Sequence, residues 1–159
     1  MFKFIILFNR QGRIRLKKWY RNFTFSEQKH IFYELTAIIA SRKSKMSNVL
    51  EWRGHKVVYK RYASLFFAGA VDQFENELLA LEIIHRYVEM LDAYFTNVNE
   101  LDVIYNFEKA YYILDELLLG GAITDPSRGS VLTAIGEQEY IAYTKNTYLD
   151  NLGYVNNPG

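Results

Sequence analysis

Two short runs, Phe4-Ile5-Ile6-Leu7-Phe8 and Leu65 to Val71, contain no charged residue. A strand with one wet face alternates apolar and polar side chains. One that does not alternate is covered on both sides. Two such strands in one chain call for a sheet sandwiched between helices. The remaining pattern supplies both parts. Residues 2–8 read as the first strand, Asn9-Arg10-Gln11-Gly12 as a turn ending in glycine, and RIRLKKWY (13–20) as a second strand with a wet, basic face. Val49-Leu50-Glu51-Trp52, residues 56–62 and residues 65–71 are three further strands, spaced for an antiparallel meander with Arg53-Gly54 as the first turn.

Helices fill the gaps. Thr24-Phe25-Ser26-Glu27 has the capping-box pattern, in which hydroxyl and carboxylate satisfy the first free amides. A helix over about 25–41 follows, with Ile31, Leu35, Ile38 and Ile39 on one stripe. RKSKMSN (42–48) is a basic loop. Residues 75–95 carry two adjoining apolar stripes, so much of that helix is covered. Asn97 with Glu100 reads as the cap of a short helix near 98–105. Residues 107–119 form another helix, with Gly120-Gly121 as a left-handed stop. Asp125-Pro126-Ser127 opens a last helix to about 136. The expected fold is α+β: a five-stranded antiparallel sheet with helices on both faces. A domain over 1–137 is followed by a poorly ordered extension over 138–159, which is rich in Tyr and Asn.

The net charge of +1 hides a division. Residues 1–61 hold 15 Lys/Arg against three acids, and the remainder holds four against 15. Such asymmetry raises nucleic acid, a membrane surface or an acidic partner for the first half, or mutual neutralisation within the fold. There is no Cys, so disulfides, thiolate metal sites and Cys nucleophiles are excluded. The opening apolar run of five is too short for a signal-peptide core or a membrane span, which points to a soluble, cytoplasmic chain.

Catalytic patterns are missing. His30, His55 and His85 fall in three separate elements without ligand spacing. No GxSxG, P-loop or GxGxxG occurs. Gly120-Gly121 stands at a helix C-terminus, the wrong end for a phosphate. Asp115 and Glu116 are neighbours on a helix and point apart. The expectation is no enzyme, no cofactor and no metal. The basic hairpin is more informative: Arg10, Arg13, Arg15, Lys17 and Lys18 adjoin Trp19 and Tyr20. If pairing is regular, residues 13, 15 and 17 share one face. That face suits a phosphate or a carboxylate, and Arg13 or Arg15 could pair bidentately with the latter. It equally suits an ion pair with the acidic half, or plain solvation.

Longer blocks carry a resemblance. FKFIILFNRQGRIRLKKWY (2–20), WRGHKVVYKRYASLFF (52–67), ENELLALEIIHRYVEMLDAYF (75–95) and NELDVIYNFEKAYYILDELLLGG (99–121) resemble the sigma, or small, subunit of clathrin adaptor complexes. The likeness runs from residue 1 to about 136. SRKSKM (41–46), LEWR (50–53) and the Gly-Gly pair are most similar to the Golgi–endosome type. The resemblance implies a longin-like fold and a non-enzymatic subunit of a heterotetramer. Its direct partner would be one large chain, with a second large chain and a medium chain in the same complex. Clathrin would be reached indirectly, and the complex would sit peripherally on trans-Golgi network and endosome membranes. It also implies a part in binding cargo tails of the form Asp/Glu-x-x-x-Leu-Leu/Ile. Arg15 matches the basic residue that faces the cargo acid beside an arginine of the large chain. Tyr62, Ala63, Leu65, Val88, Asn97, Val98, Leu101 and Val103 match positions lining the two-leucine pocket. Val103 stands where a larger aliphatic residue is usual, and the tail beyond about 137 departs from the family's short acidic end. The alternative is a free longin-type regulatory or nucleic-acid-binding domain.

Overall fold

The computed structural model describes residues 1–121, the last three by backbone alone. The chain divides into two compact units, Met1–Leu114 and Asp115–Gly159. The first contains β1 (Phe2–Asn9), β2 (Ile14–Trp19), α1 (Phe25–Ser41), β3 (Val49–Trp52), β4 (His55–Tyr62), β5 (Leu65–Asp72), α2 (Glu77–Phe95), α3 (Glu100–Tyr105) and nearly all of α4 (Phe107–Asp115). In the second, the described backbone is a π-helical stretch over Glu116–Gly121. The expected α-helix thus stops at Asp115 rather than 119, and the glycine pair lies inside a wider i→i+5 turn. The helix expected from Asp125 to about 136 and the extension over 138–159 lie outside the described residues.

The sheet has the order β2-β1-β5-β4-β3, and every neighbouring pair is antiparallel. The two uninterrupted apolar strands, β1 and β5, pair with each other in the interior of the sheet. Phe4, Ile6 and Phe8 of β1, with Phe66, Ala68 and Ala70 of β5, pack with Ile31, Leu35 and Ile39 of α1. The alternate positions face α2, where Phe67 meets Tyr87 edge-on at 6.0 Å. Gly69 marks the closest approach: a Cβ there would stand 2.6 Å from a ring carbon of Phe2 and 3.2 Å from Ile84 Cδ1. The requirement for cover on both faces is met in this way.

Local signals account for most boundaries. Thr24 and Glu27 form the expected capping box. Arg53 and Gly54, at φ 46° and 76°, make the tight two-residue link between β3 and β4. One position of α1 departs from expectation. Thr36 is buried and Ile38 is 37% exposed, because the covered arc centres on Leu35 and Ile39 and leaves Ile38 at its margin. Thr36 is tolerated inside because its hydroxyl donates to the Phe32 carbonyl one turn back.

Candidate functional site

The β1–β2 ladder is irregular at one place. Leu7 pairs with Leu16, and Phe8 pairs with Ile14, so Arg15 is an extra residue with no partner across the ladder. A bulge of this kind re-aims a side chain. Beyond it, Lys17 is turned toward α1, with its Nζ 5.6 Å from the centre of the Phe32 ring. Arg15 instead reaches the first residue of α3, donating from Nε to Glu100 Oε1 at 2.7 Å. Arg13, Arg15 and Lys17 therefore do not share a face. Regular alternation was the premise of that expectation, and the bulge breaks it.

Glu100 Oε1 accepts a second hydrogen bond, from Asn9 Nδ2 at 2.9 Å. Asn9 is buried, and its own side-chain oxygen accepts from the backbone amides of Gln11 and Arg13, each at 3.0 Å. The turn and the start of α3 are thus tied through one asparagine, and the bulge joins them through Glu100. The Arg15 hydrogen bond holds the Glu100 carboxyl below its ordinary pKa, helped by Asn9 and the nearby charge of Arg13, against an opposing effect of burial.

The turn between β4 and β5 lies next to this cluster, because Asn9 pairs with Leu65 across β1 and β5. Leu65 in turn pairs with Tyr62, and Ala63 turns the chain between them at φ 53°, a strained value for a residue with a Cβ. The Tyr62 hydroxyl donates to Asp92 Oδ1 of α2 at 2.5 Å, and the Val98 amide donates to the same oxygen at 3.2 Å. The bond to Asp92 raises the phenol pKa and keeps Tyr62 a donor. Asp92 therefore fastens the β4–β5 turn and the segment leading into α3 to one point.

Among the expected pocket residues, Leu65, Val88, Val98 and Val103 are each at most 2% exposed and stand as core walls. Ala63, Asn97 and Leu101 are exposed, Leu101 by 59%. Asn97 does not cap α3. Thr96 and Asn97 are both left-handed, at φ 53° and 67°, and the cap is Asn99, in a reciprocal box with Asp102. The pattern of an amide residue followed three positions later by an acid occurs at both 97/100 and 99/102, and the reversal of chain direction at 96–97 selects the second. Asn9, Asp92 and Glu100 were not singled out as site residues. Their partners lie 30 to 91 positions away for the side-chain pairs, and no local pattern encodes that.

Among the described residues, no group of three or more His, Cys, Asp or Glu side chains is arranged to hold a metal ion. No described helix is long and apolar enough to cross a membrane.

A family model described as the clathrin adaptor complex small chain matches residues 1–142. The human AP-1 complex subunit sigma-1A is 54% identical over 141 residues, spanning 89% of each chain. The Arabidopsis thaliana AP-1 complex subunit sigma-1 is 51% identical over 141 residues, covering 89% of this chain and 88% of that one. The Schizosaccharomyces pombe AP-1 complex subunit sigma-1 is 46% identical over 152 residues and 94% of each chain. In structure, the chain resembles one in a homology model of the full-length AP-3 complex in a stretched open conformation. The TM-score is 0.72 at 28% identity, covering 93% of this chain and 99% of that one.

Proposed function

Because the chain belongs to the clathrin adaptor small-chain family, we propose that it is the small subunit of a heterotetrameric adaptor of the AP-1 type. It packs against one large chain and works at trans-Golgi network and endosome membranes. Within that complex it helps to bind acidic dileucine tails of membrane cargo. Its task is scaffolding and recognition, without catalysis, cofactor or metal.

The observation that carries the cargo reading is the bulge. It takes Arg15 off the face occupied by Lys17 and aims it toward the start of α3, beside the turn that holds Tyr62, Ala63 and Leu65. A guanidinium beside a turn backed by buried apolar side chains matches the chemistry of a carboxylate followed by two leucines. The split of Arg15 from Lys17 also divides the basic–aromatic face on which a nucleic-acid reading would rest. In the cargo reading, Leu65, Val88, Val98 and Val103, all buried in the free chain, supply the apolar walls for the two leucines. Each leucine contributes about 1.5–3 kcal/mol before the cost of association, so binding is micromolar in scale and depends on several contacts together.

The test is peptide binding by the assembled complex. Arg15→Ser and Leu65→Ser are each expected to weaken binding of an acidic dileucine peptide by about tenfold, a loss of about 1.4 kcal/mol. Unchanged affinity in both variants sinks the pocket assignment.

A further inference from the structure

We propose that Glu100 sets how strongly the site prefers an acid over an amide at the cargo position facing Arg15. It holds the guanidinium in place while cancelling part of its charge. The inference rests on the cargo reading above.

The geometry separates the two effects. Glu100 touches Arg15 through Nε alone. The two terminal nitrogens of Arg15, which form the other edge of the fork, have no partner among the described residues. That edge is the one able to take an incoming group bidentately. Glu100 is itself fixed from behind by Asn9, whose side chain is buried and braced on the turn amides. Glu100 is therefore a positioning residue: it clamps one edge of a bulged arginine so that the other is presented.

The same carboxylate also opposes what it positions. Its oxygen lies 2.7 Å from Arg15 Nε, and the side chains are only 24% and 23% exposed. Charges so placed are screened less than on an open surface. A cargo carboxylate approaching the free edge meets the charge of Arg15 and, just behind it, the opposite charge of Glu100. A cargo amide is nearly indifferent to both. Removing the charge of Glu100 while keeping its oxygen strengthens binding of the acid and leaves binding of the amide as it was. Arg13, the other cation acting on Glu100, adds to the positive side in either case.

The experiment pairs two dileucine peptides that differ only by Glu or Gln at the acidic position, each titrated by calorimetry into the assembled complex. Glu100→Gln retains an acceptor for Arg15 and Asn9. It is expected to raise the Glu-to-Gln affinity ratio about two- to fivefold, the effect of one partly screened charge pair. Glu100→Ala removes the acceptor, and it is expected to bind the Glu peptide more weakly than Glu100→Gln does. The control is Arg15→Ala, which should lower the Glu-to-Gln ratio, the large-chain arginine of the cargo reading keeping the remaining preference. If that control leaves both affinities unchanged, the cargo reading fails and this inference falls with it. If the control lowers the ratio while Glu100→Gln leaves it unchanged or lowers it, the role of Glu100 alone is overturned. Equal binding of the Glu peptide by the Ala and Gln variants overturns its positioning part.

Discussion

On one side of the sheet α1 lays its aliphatic stripe on a cluster of rings, with one exposed ion pair from Glu34 to Arg53; on the other, α2 and α3 are held partly by partly buried polar ties. Phe4 lies 5.2 Å from Trp19 and 5.8 Å from Phe23, and Phe8 stacks on Phe66 at 5.2 Å. So apolar is this cluster that the buried Trp19 Nε1 has no hydrogen-bond partner among the described residues. The opposite side also has apolar contacts, yet its helices are registered by named bonds: Tyr62 and Val98 to Asp92, Arg15 and Asn9 to Glu100, and the Tyr87 hydroxyl to the Ala110 carbonyl at 2.8 Å. The burial that drives ring packing is non-directional, and the close packing it produces tolerates little volume change. Hydrogen bonds are directional and can be exchanged for those of a ligand at small net cost. A surface meant to keep its shape suits the first arrangement, and one meant to receive a partner suits the second.

This contrast gives an order of effects. Phe4→Ala removes a ring that is 1% exposed, and it should cost about 3–5 kcal/mol in denaturant unfolding. Asp92→Ala strands the Tyr62 hydroxyl and the Val98 amide, and it should cost about 1–3 kcal/mol in the same assay. A loss from Asp92→Ala equal to that from Phe4→Ala would break the contrast. The smallest effect concerns Glu100. Its folded pKa lies below the unfolded value, so its contribution is present above the unfolded pKa and is lost as pH falls through the folded one. In Arg15→Ala the Glu100 carboxyl should titrate back toward the ordinary carboxylate range, and stability should fall less steeply with acid. A carboxyl-observed NMR titration of both proteins checks the shift.

The sequence is an uneven guide to these two sides. The α1 side follows from local chemistry: the Thr24/Glu27 box and the 31, 35, 39 spacing place the helix, and the unbroken strands place it on a sheet. Only Ile38 and Thr36 exchange roles, because apolarity marks a stripe without fixing its centre. The other side depends on exceptions to local rules. Strict alternation puts Arg13, Arg15 and Lys17 together, and a bulge leaves no mark in composition. The two left-handed residues at 96 and 97 are Thr and Asn, so no glycine announces the turn. The family resemblance named Arg15 and the pocket walls. It named none of the acids that meet Arg15 and Tyr62, since the adaptor reading looks outward to cargo rather than inward to Glu100 and Asp92.

Arg15 has one more property by virtue of being supernumerary in its ladder. A hairpin without residue 15 would run Ile14, Leu16, Lys17 against Phe8, Leu7, Ile6 in unbroken alternation, each side chain on the face it already has. The sheet can thus be assembled without the residue proposed to face the cargo acid. Change at this one position is decoupled from strand pairing, so its side chain can be exchanged while the hairpin keeps its register.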